Sequence, residues 1–225
     1  MGRAMGNSQS DSQQLDFHVG HLFATPVIAA MLPDAEARNQ DLRQRILAQR
    51  ERESSVSASN LGGWHSGQPI EQWGGPRIQE IMAAARQIAA RSTFDRNGQP
   101  VDVDWAVRAW ANVNEYGHAN AFHYHAGAYW SGTYYVDDGG RMADESLGGE
   151  FEVMDPRGPG AAMYAPFLSL DDGAGGHTGA SPIQFTPRPG LLMLFPAWLL
   201  HQVRPYLGRS QRISIAFNLR VGEHP

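Results

Sequence analysis

The chain has 225 residues, 42% of them hydrophobic and 18% charged, with a formal net charge of −5. That balance suits a globular domain with a sizeable buried core and argues against a disordered chain, a nucleic-acid-binding protein or an anionic membrane partner. There is no cysteine, which removes disulfides, thiolate zinc sites and a cysteine nucleophile, and fits a reducing cytoplasm.

The polar start lacks the apolar run of a signal peptide, and residues 1–16 read as a disordered tail. No stretch has the unbroken apolar length of a membrane span, and 17–225 reads as one domain. Residues 17–31 hold apolar runs broken by Gly and Pro and predict a short strand or two. From Asp34 a run of helix formers carries a thin apolar stripe of Leu42, Ile46 and Leu47, which predicts an amphipathic helix. Residues 54–69 read as a loop by composition. Ile78, Ile81, Met82, Ala85 and Ile88 recur at helical spacing behind Pro76 and predict a second helix. Together these form a helical buttress over about 34–95.

At about residue 101 the texture changes. Val101, Val103, Trp105 and Val107 alternate with Asp102, Asp104 and Ala106. Strands are expected at 107–114, 121–126, 129–136, 149–154, 183–186, 190–195, 198–204 and 211–221, giving a β core over about 101–221. Many short strands without helices between them predict a mainly β fold, a sandwich or barrel of jelly-roll, cupin-like type with N-terminal helices. The Gly-rich loop 156–182 is too long for a plain connection and reads as functional.

Of nine histidines, His18, His21, His118 and His224 carry no chemical signal. His65 and His177 lie on loops and are candidates for a pocket rim, with Trp64 beside them. His123 and His125 fall on one face of a predicted strand, and His201 falls on a distant one. A close pair plus a remote third is what a barrel needs to converge on one metal ion. A buried, hydrogen-bonded pair is the bland alternative. In 211–221 the residues Ile213, Ile215, Phe217, Leu219 and Val221 share one face, which should pack under the helices. Arg212, Ser214, Ala216, Asn218 and Arg220 share the other, assigned to the interior. A buried Arg212 needs an anion. A bound carboxylate would serve, and so would Glu150 or Glu152. Trp110, Asn112 and Asn114 form another inward row, as do Ser131, Thr133 and Tyr135. Rows of hydrogen-bonding side chains suit a polar ligand.

These residues resemble the Fe(II)/2-oxoglutarate-dependent dioxygenases. The likeness rests on His123-Tyr-His125, the distal His201, and Arg212-Ile-Ser214 eleven residues beyond it. More narrowly the chain is similar to a group of bacterial 2OG-Fe(II) oxygenases of unassigned substrate, through LFATPV, NLGGWHS, SGTYYV, GGEFEVMDPR, PGLLMLFPAWLLHQVRP and RISIAFN. The resemblance implies a double-stranded β-helix, Fe(II), 2-oxoglutarate and O2. It implies hydroxylation of a small-molecule or peptide substrate with release of succinate and CO2. It places the metal on His123, His125 and His201, and the far carboxylate of 2-oxoglutarate on Arg212, helped by Ser214, Tyr135, Ser131 and Asn112. His125 stands where the superfamily usually has an acid. Three readings stay open: a three-histidine site, a site completed by Glu150 or Glu115, and a two-histidine site. A cupin-like metalloenzyme without 2-oxoglutarate and a non-catalytic jelly-roll binding protein are the rival functions. Exposed edge strands leave a homodimer open.

Overall fold

The computed structural model describes residues 23–158, 165, 167–171, 177–178 and 182–222. The tail assigned to 1–16 lies outside them, as do His18, His21, His224 and most of the loop 156–182. The elements run β1 Ile28–Met31, α1 Ala35–Arg50, β2 Asn60–Leu61, β3 Trp64–His65, α2 Pro76–Arg91, β4 Trp105–Asn114, β5 Ala119–His123, β6 Trp130–Asp138, β7 Phe151–Val153, β8 Leu170–Asp171, β9 His177–Thr178, β10 Ile183–Phe185, β11 Leu191–Pro196, β12 His201–Val203 and β13 Arg212–Val221.

Two antiparallel sheets share the work. The larger has the order β1-β11-β6-β13-β4-β3, and the smaller β10-β7-β12-β5-β2. β8 and β9 pair apart from both. The mainly β architecture and both helices match the sequence reading. Several boundaries differ. The alternation from Val101 begins outside any strand, and β4 starts only at Trp105. The loop 54–69 contributes two two-residue strands, β2 and β3, which composition alone hides.

The long strand β13 explains the layering. It pairs with β4 over its whole length and with β6 along most of it. Its apolar face, Ile213, Ile215, Phe217 and Leu219, is fully buried. These side chains join Leu42 and Ile46 of α1 and Ile78, Ile81, Met82, Ala85 and Ala89 of α2 in one core. Each of the larger of these side chains contributes about 1.5–3 kcal/mol by leaving water, the two alanines less. Only Val221, at the strand end, departs from the expected face and stays exposed. The ring of Phe217 sits so close to β6 that Gly132 has no room for a side chain: a Cβ there would lie 2.4 Å from the Met193 carbonyl oxygen and from Phe217.

The opposite face of the larger sheet meets the smaller sheet. A second, smaller core of Tyr135, Met193, Phe195, Phe151, Val153 and Leu199 closes one part of the gap. The remainder is a cavity of about 480 Å³ lined by both sheets and by the segments before β2 and after β3.

Candidate metal centre

Three histidines meet at the wall of this cavity. Their available ring nitrogens all lie within 4.8 Å of one another. His123 and His201 are direct cross-strand partners on β5 and β12, with ring centroids 4.3 Å apart. The pairing is antiparallel and slips just beyond His201. His125 arrives differently. The strand expected over 121–126 ends at His123, so His125 lies in the following turn, where its amide donates to the Ala197 carbonyl at 2.9 Å. The shared-face argument therefore does not account for its position; that backbone bond does. Its ring lies 5.0 Å from His123 and 5.2 Å from His201.

Hydrogen bonds settle which nitrogens can act. Nδ1 of His123 lies 2.7 Å from the Ala121 carbonyl, and Nδ1 of His201 lies 2.7 Å from the Leu199 carbonyl. A carbonyl only accepts, so each Nδ1 carries the proton and each Nε2 keeps a lone pair. The same i−2 contact thus prepares both rings as ligands. The Nε2 of His123 is 3.3 Å from the Ser59 hydroxyl, which donates to it. His125 leans on Asn218, whose amide is 3.5 Å from its Nδ1 and which also accepts from the Ser131 hydroxyl at 2.7 Å.

Burial keeps all three rings neutral. It pulls His201 down to about 3 and His125 to about 4, with the neighbouring histidines adding to the effect, and it lowers His123 as well. Neutral imidazoles are the form that binds metal. Phe151 and Phe195 pack against the His201 ring.

No carboxylate joins the cluster among the described residues. Glu115 is bound by Arg50 at 2.7 Å and by Gln211. Glu150 is held by Arg141 at 2.9 Å. Glu152 takes Gln184, Gln202 and Arg204. None of the three pairs with Arg212. That arginine is 2% exposed, and its Nε has no partner. Its Nη1 reaches Asn114 only at 3.5 Å, and its guanidinium carbon sits 5.4 Å from the centre of the Tyr135 ring. Burial lowers its affinity for the proton, offset by Tyr135, Tyr206, Asp138 and Glu150 acting at a distance. Gly149 adopts a positive φ beneath it, and a Cβ there would press 3.2 Å from the Arg212 side chain.

The other expected residues divide. Arg212, Ser214, Asn112 and Tyr135 line the same cavity as the histidines. Ser214 stands opposite Asn112 on one side and Tyr135 on the other. Ser131 does not join them: it sits opposite Asn218, at the histidine end of the row. His65 lines the cavity and stacks on Trp110 at 5.6 Å, whereas Trp64 turns into the helical core and donates to the Glu53 carbonyl. The His177 side chain lies outside the described residues. Arg108 and Arg220 also line the cavity. Arg220 belongs to the expected inward row, but Arg108 carries no signal in the sequence by itself, because its partner is a strand more than a hundred residues away.

Residues 108–218 match the family model described as "Putative 2OG-Fe(II) oxygenase". Over that stretch the chain is similar to the 2OG-Fe(II) oxygenases. The family uses Fe(II) and 2-oxoglutarate. None of the curated proteins compared matches the chain in sequence. Among solved structures, a prolyl-4-hydroxylase from Pseudomonas putida is similar at 14% identity and TM-score 0.60, over 88% of this chain and 94% of that one. A prolyl hydroxylase from Trichoplax adhaerens, in complex with a hypoxia inducible factor peptide fragment, is similar at 13% identity and TM-score 0.60, over 87% and 83%. The alpha-ketoglutarate-dependent carbocyclase SnoK of nogalamycin biosynthesis is similar at 10% identity and TM-score 0.59, over 87% and 79%. The shared fold is the double-stranded β-helix, in which the two sheets described above form the barrel. Among the described residues no helix is long and apolar enough to cross a membrane.

The residues fit both groups. Three neutral imidazoles suit a divalent first-row metal, and a buried guanidinium with an orphaned Nε suits a carboxylate.

Proposed function

We propose that the chain is a dioxygenase that oxidises a substrate C–H bond with Fe(II) and 2-oxoglutarate, releasing succinate and CO2. The observation that carries the reading is Arg212: a buried cation without an ion pair among the described residues, set in the wall of the cavity that the three histidines share. A cupin-like metal site without 2-oxoglutarate would have no use for it, and a lone buried charge is costly to keep.

His123, His125 and His201 would hold the iron. The ion would supply the O2 chemistry in which 2-oxoglutarate is oxidised to succinate and CO2, with one oxygen atom entering succinate and the other the substrate. The protein contributes position and electrostatics. Nδ1–H donation to Ala121 and Leu199 aims two Nε2 lone pairs into the cavity. Asn218 orients His125. With the amide nitrogen toward His125, Asn218 donates to Nδ1, which would leave the proton on Nε2. With the amide turned, Oδ1 accepts Nδ1–H, Ser131 bonds the amide nitrogen, and His125 presents Nε2 like its neighbours. Arg212 takes the far carboxylate of 2-oxoglutarate, with Ser214, Tyr135 and Asn112 beside it. Three neutral ligands leave the metal's charge to be balanced by this dianion, so binding of the two is coupled.

The test is succinate formation and 2-oxoglutarate affinity in the wild type and Arg212→Ala, with Fe(II). The reading requires that Arg212→Ala lose 2-oxoglutarate binding while keeping metal. Equal affinity in the two proteins would refute it.

A further inference from the structure

The cavity has two charged ends, and the proposed function uses only one. Along β13 the inward row runs Arg212, Ser214, Ala216, Asn218, Arg220. Asn218 touches His125, so the histidines lie closer to the Arg220 end of this row than to the Arg212 end. Arg212 lies six residues to one side. Arg220 lies two residues to the other, about 7 Å further along the strand. The register places Arg108 of β4 opposite Asn218, and Ala106 opposite Arg220. Arg108 and Arg220 are therefore diagonal neighbours, a spacing of about 7–8 Å that long side chains bridge.

Both arginines line the cavity, and both are exposed. Among the described residues neither makes an ion pair. Glu71 accepts from the Ala109 amide at 2.8 Å, Glu53 accepts from the Gly67 and Gln68 amides, and the Asp104 carboxylate lies beside Gly222. The described lining holds three arginines and neither aspartate nor glutamate. That is not a consequence of composition, since acids outnumber bases in the chain, 23 to 18. A metal held by neutral imidazoles adds further positive charge. One 2-oxoglutarate at Arg212 does not neutralise the opposite end.

We infer that Arg108 and Arg220 form the anion-binding subsite for the substrate, which is a small organic acid or phosphate ester. This rests on the dioxygenase reading for the word substrate. Two guanidiniums offer paired N–H donors to carboxylate or phosphate oxygens. Trp110 follows Arg108 on the same face and stacks on His65 at an interplanar angle of 17°. It supplies a flat apolar wall for the body of the ligand between the arginines and His125, whose ring lies 5.9 Å from the indole. The substrate thus enters with its anionic group at Arg108 and Arg220, and carries its reacting carbon toward the histidines, opposite the co-substrate.

The experiment titrates the Mn(II)-loaded protein, saturated with 2-oxoglutarate, with phenyl phosphate, phenylacetate and the neutral phenylacetamide. The two anions should bind at least roughly tenfold more tightly than the amide, and added salt should shrink the difference. The tighter of the two anions identifies the ester or the acid as the substrate class. Replacing both residues (Arg108→Gln with Arg220→Gln) should abolish the preference and leave 2-oxoglutarate affinity unchanged, whereas Arg108→Lys with Arg220→Lys should retain part of it. Equal binding of the three probes by the wild type, or an undiminished preference in the double Gln variant, overturns the subsite. Repeating the titration on Arg212→Ala without 2-oxoglutarate separates the two readings. An anion preference that persists there, in a protein whose wild type fails to bind 2-oxoglutarate, strikes the dioxygenase reading and leaves the subsite standing.

Discussion

The two sheets differ in build and in chemical task. The larger has strands of nine and ten residues at its centre, and two helices cover its outer face. The smaller has strands of two to five residues. The larger sheet supplies Arg212, Ser214, Tyr135 and Asn218, the residues assigned to co-substrate and support. The smaller supplies His123 and His201 at strand ends, with His125 just beyond. A charge as costly to bury as Arg212 is held by the part of the molecule best able to over-determine it. The proposed metal ligands sit on or beside short strands, which are inherently less stable, so their geometry would depend on carbonyl contacts and on the ion itself.

That contrast can be broken from either side. The largest effect is expected from Phe217→Ala, which empties the helix-backed core and should cost about 3–5 kcal/mol in chemical denaturation. A cost below about 1 kcal/mol would show that the larger sheet is not the scaffold. Next, Arg212→Ala should weaken 2-oxoglutarate binding by about 2–5 kcal/mol, with metal affinity nearly unchanged in calorimetry. Asn218→Leu should do the reverse, lowering metal affinity roughly 10–100-fold through His125 with the fold intact, and Asn218→Asp should restore most of the loss. Failure of Asn218→Asp to restore binding would argue against an accepting atom at that position.

The smallest effect is a pH dependence of the metal-free protein. Burial holds His201 at about 3 and His125 at about 4 in the folded chain, against an ordinary 6.5. Between those values the unfolded chain binds more protons than the folded one. Stability therefore rises with pH across this window and is lost as pH falls below about 6.5. The urea midpoint should be lower at pH 5 than at pH 7, and bound metal should reduce the difference. A flat profile would mean that the rings are more hydrated than their packing indicates.

Much of this is legible in the sequence, for physical reasons. The alternation in 212–221 fixes which side of β13 is core, because a strand has a period of two and one face must be buried. The same alternation puts Arg212 on the interior side. The histidine trio follows from residue type and from His201 lying on a separate strand. The shared-face reason for His125 fails, since no local pattern announces that β5 stops at His123 or that Ala197 anchors the next turn. Ser131 shares a face with Tyr135 and so reads with the co-substrate; only the register with Asn218 shows which end it serves. Arg108 is silent because its meaning lies in a pairing with β13.

The proposed three-histidine centre carries the account, and His125 is the proposed ligand on which it turns. Fe(II) titration without oxygen, by calorimetry, on the wild type and on His123→Ala, His125→Ala and His201→Ala tests it most directly. The structure predicts one ion per chain in the wild type and a comparable loss of affinity, at least about tenfold, in all three variants. Wild-type affinity retained in His125→Ala alone would contradict it and leave a two-histidine site.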